Sequence, residues 1–527
     1  MSDIGIGSGV LTPGSYFEID KSRATDPFAV DTFKVCILGE HQTGAGGTTP
    51  ETDILFQRVA SVDDAFLKYG NSPSFEMCRS FFRNYKVGVN AELYCISKPT
   101  DVSGGVIKGI SPKLQLTIPS DMVAGTLNVI SNGEAYTVSV GANDLNDDII
   151  NRIVSAVNVQ SSLEPTASGS ALSLVVNWST IENVSEDLAS ELDADNQQVM
   201  VVVESYDKGP LIAAETAVGG GSYGTAAKRQ QIYLEAPDSS TPTAIDLADH
   251  IAVIPDEVIS IFINPYASTG DLTNYNLLKT ELETRFTATE QLEGVQFVSE
   301  DGTTANIDTA LDGFNEFQTV MLDAGYNRAT PRYLQIAALA GVVASTVYAD
   351  PVIPMMNKTL KSVIAEPEQY KRKQFPDRND ILKAGGAATK VNRNTGTVQT
   401  ESIVTTYTTN SQGLPDQSYR YLNTVLTASY LRQSALRFIR VNYDNYKLGD
   451  DPYEGKEGQR IVTPLIMRAS LLAWYKELQD LAIVENYAEF ETSLVVVRNG
   501  QERLDAIINP DLVNQFRLLG GRISFLL

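Results

Sequence analysis

The hydrophobic pattern changes period twice along the chain. Val35-Cys36-Ile37-Leu38 is a continuous apolar run ending at Gly39 and predicts a short buried strand, followed by a Gly/Thr-rich loop over 44–50. Residues 62–69 and 75–84 have helical spacing, and 93–96 is a strand. From Leu114 the pattern shifts to short strands: 113–118, then 125–130 and 136–140 as a hairpin across Ser131-Asn132-Gly133-Glu134. Residues 143–158 form an amphipathic helix with Ile149, Ile150, Ile153 and Val157 on one face, and strands return at 171–177 and 199–203. This is a compact β-rich insertion, and the glycine-rich 218–224 reads as a linker back to the parent domain.

The parent domain resumes as α/β. Residues 258–265 are a buried strand stopped by Pro265, and 272–286 a helix. Periodicity leaves 314–322 open between strand and helix. The most apolar long stretch, 333–349, contains Gln335, Ser345 and Thr346 and is short for a bilayer span of about 20 residues, so it reads as a buried globular helix. Thr463 and Pro464 open a helix as N-cap and first helical residue, with an apolar stripe of Leu465, Ala469, Leu472 and Tyr475. Asn499-Gly500 turns a hairpin between 493–498 and 503–508. At the N-terminal end, Gly5, Gly7, Gly9, Pro13 and Gly14 mark an arm that ends in a strand, Ser15, Tyr16, Phe17, Glu18 and Ile19. The last five residues, Ile523, Ser524, Phe525, Leu526 and Leu527, read as a strand with an open edge. Both strands either add to another sheet or pair within their own chain.

Composition narrows the function. The 527 residues allow three or four domains, or two with a large insertion. The net charge is −24, so the chain does not bind nucleic acid by counterion release and is repelled by anionic lipid. Residues 101–330 hold nine Lys/Arg against 33 Asp/Glu, whereas the rest of the chain holds 32 of each. One reading is an acidic domain inserted in an ordinary one; the other is a solvent-facing middle with ends that pack into an assembly. Two histidines exclude most histidine-based chemistry. Cys36, Cys78 and Cys95 lack metal or redox spacing and read as buried hydrophobes in a reducing compartment. The N-terminus has no signal-peptide pattern, which implies a cytoplasmic site of synthesis.

Motifs that resemble chemistry are incomplete. Gly39-Glu40-His41-Gln42-Thr43-Gly44 follows a strand as a phosphate loop would, but Ala45 stands where the lysine belongs. Gly455-Lys456 is followed by Glu457, whose charge repels nucleotide. Residues 219–224 match both G-x-G-x-x-G and G-x-S-x-G around Ser222 through glycine content alone. His250 and Asp246 would complete a triad with Ser222, though a helical solvent face accounts for both. Asp193, Asp195 and Glu204 approach a calcium loop, yet Gln198 stands where its turn needs glycine. No catalytic constellation, cofactor site or metal site follows from these residues.

Seven collinear stretches carry a different message: PGSYFEIDKSRA (13–24), ADPVIPMMNKTL (349–360), IVTTYTTNSQGLPDQSYRYLNT (403–424), KLGDD (447–451), IVTP (461–464), VEN (484–486) and RLDAIINPDLVNQFR (503–517). In this order and spacing they resemble the contractile tail sheath proteins of Mu-like bacteriophages, and 125–153 is similar to the β-rich domain those proteins carry. The resemblance covers nearly the whole chain, with 187–229 its weakest part. It implies an α/β (α+β) multidomain chain with a mixed-sheet core domain built from both ends, an inserted β-rich domain and extended terminal arms. The division is an N-terminal arm (1–30), core (31–110), outward-facing insertion (111–210), core (211–515) and C-terminal arm strand (516–527). It further implies a non-enzymatic virion protein without cofactors. Its partners would be itself, in hexameric rings of a helical sheath, the tail tube protein, and the baseplate and tail terminator proteins. It would assemble in the host cytoplasm, with no membrane insertion. The arm strands Ser15–Ile19 and 523–527 would cross to neighbouring subunits. Two rivals remain: the sheath of a genome-free contractile injection particle, and an acidic hydrolase using Ser222 or a carboxylate pair.

Overall fold

The computed structural model describes residues 32–42, 54–86 without 71, 90–100, and 245–525 without 268–271, 327, 329, 349, 367–368 and 454–457. Between 101 and 244 it describes the backbone of seven strands, with Asp148 and Arg152. The described residues divide into two compact units, Thr32–Leu426 with the C-terminal segment Gln515–Leu527, and Thr427–Asn514.

The first unit opens with β1 (Phe33–Gln42), β2 (Phe56–Val59), α1 (Val62–Tyr69), α2 (Pro73–Asn84) and β3 (Ala91–Thr100). Then come β4 (Lys113–Thr117), β5 (Gly125–Ser131), β6 (Glu134–Val140), β7 (Pro165–Thr166), β8 (Ser173–Asn177), β9 (Val199–Glu204) and β10 (Arg229–Tyr233). It continues with α3 (Ala248–Ile251), β11 (Ile261–Ile263), α4 (Thr273–Phe286), β12 (Val295–Glu300), α5 (Thr304–Leu311) and β13 (Thr319–Asp323). After these come α6 (Arg332–Val347), α7 (Phe375–Ala384), β14 (Gly386–Val391) and β15 (Val398–Ser402).

Eight strands form the main sheet in the order β15-β14-β13-β12-β11-β1-β3-β2. The six inner strands are parallel, and β2 and β15 close the edges antiparallel. Parallel strands buried on both faces need continuous apolar runs, which Val35–Leu38, Ile261–Ile263 and Val320–Leu322 supply at 2% exposure or less. The chain travels from β1 to β3 in one direction and from β11 to β14 in the other. Right-handed crossovers therefore put α2 on one face and α4, α5 and α7 on the other, while α6, within the long β13–β14 connection, returns to the α2 face. On one face α2 packs on α6: Ser80 Oγ donates to Leu334 O at 2.8 Å, and a Cβ at Gly341 would lie 2.5 Å from Phe81 O, so only glycine permits this approach. On the other face, Tyr275 of α4, Ile307 and Leu311 of α5 and Ile381 of α7 pack on Val298 and Met321.

The insertion forms a four-stranded antiparallel sheet, β10-β9-β5-β6, and a three-stranded one, β4-β8-β7. The expected hairpin is present with Ser131 opposite Glu134. Its sheet takes in β10, beyond the 210 boundary read from the sequence. The expected helix over 143–158 falls largely outside the described residues, as does the 218–224 linker.

The division between units falls within α8 (Leu422–Tyr443). The second unit then contains β16 (Lys447–Leu448) paired with β17 (Ile461–Val462), and α9 (Pro464–Asp480). It ends with β18 (Val484–Glu485), α10 (Tyr487–Ser493), the hairpin β19 (Val495–Arg498) and β20 (Leu504–Ile507), and β21 (Asp511–Leu512), which pairs with β18. Thr463 caps α9 as expected, accepting from Ile466 N. The expected stripe is displaced, because Leu465 is 65% exposed and the buried set is Met467, Leu471, Trp474, Tyr475 and Leu478. Both sets fit helical spacing; the Trp474 indole fixes the observed one by donating to Ser434 Oγ at 3.0 Å.

Other differences are local. The strand expected over 35–38 runs on to Gln42, pairing with β3 throughout. The strand expected over 258–265 is only Ile261–Ile263, and 314–322 resolves as the buried strand β13. The apolar stretch near 333–349 is the buried helix α6, and no described helix is long and apolar enough to cross a membrane. The acidic excess does not stop at the insertion, since residues 245–330 carry 15 Asp/Glu against three Lys/Arg.

Candidate functional site

The direction reversal between β1 and β11 is where open α/β sheets take ligands, at the carboxyl ends of their strands. In this chain its own side chains fill that end. His250 on α3 is fully buried and its Nε2–H donates to Gly39 O at 2.8 Å. This corrects the solvent-face reading of His250, and burial pushes its imidazole down to about 4, so it is neutral. Beside it, Lys98 pairs with Asp249, and His41 Nδ1 meets Ser97 Oγ at 2.8 Å. A Cβ at Gly39 would lie 2.2 Å from Ser74 Oγ, so the start of α2 presses directly on the strand. Gly39, Glu40, His41 and Gln42 are thus strand residues rather than loop.

A second polar cluster closes the same end of the sheet beyond β13. Arg328 Nε donates to Glu366 Oε1 at 2.8 Å and its Nη1 to Gln335 Oε1 at 3.1 Å, all three groups being buried. Lys373 pairs with the buried Asp323. These contacts tie the loops after β13 and after α6 to the sheet. Among the described residues no group of three His, Cys, Asp or Glu is placed to hold a metal ion. Ser222, Asp193, Asp195 and the 455–457 motif lie outside the described residues, and Asp246 caps Ala248 N at 2.9 Å.

The features that face outward are apolar and extended. In the second unit, β19 and β20 pair Val495 with Ile507 and Val497 with Asp505. Val495, Val497 and Ile507 present an exposed apolar face on a sheet that has two strands among the described residues. Arg468 holds the base of the hairpin by donating to the carbonyls of Glu491 and Leu494. Tyr475 stacks on Phe490 at 3.7 Å between centroids, and its hydroxyl binds Glu485 O and Asp511 N. The turn around Asn499-Gly500 is the one expected, with shorter strands on either side.

The C-terminal segment is fastened to the first unit and then released. Gln515 Nε2 donates to Val352 O at 2.9 Å, and Arg517 Nη1 to Ser402 Oγ at 3.2 Å. The Arg517 guanidinium also lies over the Tyr421 ring. Beyond it, Leu518, Leu519, Ile523 and Phe525 are at least 80% exposed. Ile523, Ser524 and Phe525 are outside any strand of this single chain, while Leu526, Leu527 and Ser15, Tyr16, Phe17, Glu18 and Ile19 lie outside the described residues. The sequence reading missed the anchor of this segment, although Arg517 and Tyr421 both stand in the stretches that carry the resemblance.

Comparison with known proteins gives these features a context. Residues 415–525 match the family model described as the phage tail sheath C-terminal domain. The chain is 27% identical over 527 residues to the Mu-like prophage FluMu tail sheath protein of Haemophilus influenzae, covering 99% of each chain. Among solved structures, the sheath tail protein of Desulfitobacterium hafniense is similar with a TM-score of 0.47 at 13% identity, covering 95% of this chain and 97% of that one. The sheath tail protein Lin1278 of Listeria innocua has a TM-score of 0.43 at 11% identity, covering 92% and 96%.

Proposed function

We propose, on the premise that this chain is a structural tail sheath protein of the Mu-like phage kind, that its copies stack as six-subunit rings around a tail tube. The helical array contracts to drive the tube through the host envelope. The observation that carries this reading is the likeness to a Mu-like tail sheath protein along 99% of both chains, insertion and termini included. Contraction is a passage between two packings of the same subunits, with the free energy stored at assembly. It needs no nucleotide, in keeping with a sheet whose ligand-binding end is filled by His250, Ser74 and Arg328.

The insertion, extended to β10, faces away from the tube, and the core makes the lattice. The arms Ser15–Ile19 and 523–527 add to sheets of neighbouring subunits, for which the β19–β20 hairpin offers edges unpaired among the described residues. The C-terminal arm leaves its subunit at Arg517, so rings stay connected while bodies rotate. Tube, baseplate and terminator proteins are the further partners, in the virion and, during assembly, in the host cytoplasm. Sedimentation of the purified chain against concentration tests this: a sharp onset of polymer above a critical concentration is expected, and a monomer at all concentrations refutes it.

A further inference from the structure

The C-terminal ends of α2 and α6 enclose an open cleft of about 570 Å³ that the reading above does not use, lined among others by Asn84, Lys86, Ser345, Tyr348, Lys358 and Lys361. Its frame is fixed by backbone contacts. Lys361 N donates to Asn84 Oδ1 and Lys86 N to Ser345 Oγ, both at 2.7 Å. Lys86 and Lys361 are exposed and Lys358 is half-buried, and among the described residues none of the three has a carboxylate at ion-pair distance. Most other described lysines do, among them Lys34, Lys98, Lys279 and Lys373. The two helix C-termini favour nearby cations, and three lysines around one cleft still leave positive charge to spare.

The opposite outer layer of the same unit carries the complement. Asp308 on α5 and its cap residue Asp312 are exposed, four residues apart, and without a cation at ion-pair distance among the described residues. Like charges at that spacing repel, and both stand at the negative end of the helix dipole. An external cation relieves both penalties. The two charged patches sit on different faces of one sheet, so within a copy they cannot meet.

We propose that the Lys86, Lys358 and Lys361 cleft of one copy receives Asp308 and Asp312 of the next. Such a contact joins two different surfaces, so it repeats from copy to copy and closes a ring or extends a helix according to the rotation between neighbours. The inference rests on the reading of the chain as a polymerising subunit and names the surfaces that meet. Nucleic acid is a poor occupant because the chain's net charge of −24 opposes it.

Charge reversal tests the pairing. Lys358→Glu with Lys361→Glu, and separately Asp308→Lys with Asp312→Lys, are each expected to raise the critical concentration for polymerisation roughly tenfold or more. The chain carrying all four changes is expected to return to within about threefold of the unchanged protein. In polymers grown from a mixture of 14N and 15N protein, a carbodiimide is expected to join Lys86, Lys358 or Lys361 to Asp308 or Asp312 of a differently labelled copy. Should a reversal variant fail to fold, this cross-link decides alone. Cross-links from these lysines to other carboxylates only, or a lysine variant that polymerises unchanged, overturn the pairing but leave the proposed function standing. An unchanged protein that never polymerises overturns both.

Discussion

The guanidinium of Arg517 lies 3.5 Å from the centroid of the Tyr421 ring. Tyr421 immediately precedes α8, and Arg517 is the last residue of the C-terminal segment with a partner on the first unit before a run of exposed apolar residues. One planar contact therefore marks where the segment passes from residues held on the first unit to Leu518, Leu519, Ile523 and Phe525, all at least 80% exposed. A stacked, partly buried cation of this kind is worth about 1–2 kcal/mol.

Arg517→Ala is expected to loosen residues 515–527 without unfolding the core. Limited proteolysis should cut the segment several-fold faster, while the melting temperature of the first unit stays within a few degrees. Arg517→Lys should resemble the alanine variant more than the parent, because an ammonium lacks the planar face that stacks on Tyr421.

The buried Arg328–Glu366 pair gives a larger effect. Arg328→Met strands a carboxylate that is 1% exposed and should cost about 3–5 kcal/mol, read as a lower urea midpoint. Adding Glu366→Leu removes the orphaned charge and should recover most of the loss. Equal destabilisation in the single and double variants would mean that the pair does not act as a unit.

Acid sensitivity follows from His250. Its folded-state value of about 4 lies below the ordinary 6.5, so between those values the unfolded chain takes up a proton that the folded chain refuses. Stability is then full above pH 6.5, falls as pH drops towards 4, and levels off below. The contribution is on the order of 3 kcal/mol. His250→Gln should be less stable at pH 7 but show a flatter profile than the parent between pH 6.5 and 4, since carboxylate titration is common to both. Parallel profiles would show that the imidazole is not held neutral.

Much of this architecture was legible in the sequence because local signals agreed with the fold. α1, the Ser131–Glu134 hairpin and the Thr463 cap follow from spacing and capping chemistry that tertiary contacts did not override. The α9 stripe was misplaced because two sets of positions fit a 3.6-residue period, and the structure buries the set that includes Met467, Leu471 and Trp474, the last bonded to Ser434. His250 was misread because a polar residue beside Asp246 and Asp249 resembles a helical solvent face; its burial depends on Gly39, 211 residues away in sequence. The Arg517–Tyr421 contact and the lysine cleft join residues that periodicity cannot relate.

The insertion should be separable from assembly. Its strands form sheets of their own, distinct from the eight-stranded sheet. Replacing residues 112–234 by a short Gly/Ser bridge should leave polymers of smaller outer radius in electron micrographs. A variant that folds yet never polymerises would place the insertion within the lattice instead.

Electron microscopy of the concentrated protein, alone and as Phe17→Pro and Phe525→Pro, tests the central claim most directly. Proline removes a donor and clashes in a strand interior, so if the arms pair with neighbouring subunits as proposed, either change breaks that pairing while sparing the body of the fold. The account predicts hollow tubes with six-fold symmetry in cross-section for the unchanged chain, and folded monomers without tubes for both proline variants. Full-length tubes from both variants would contradict the role of the arms, and an unchanged chain that forms no tubes at any concentration would contradict the sheath itself.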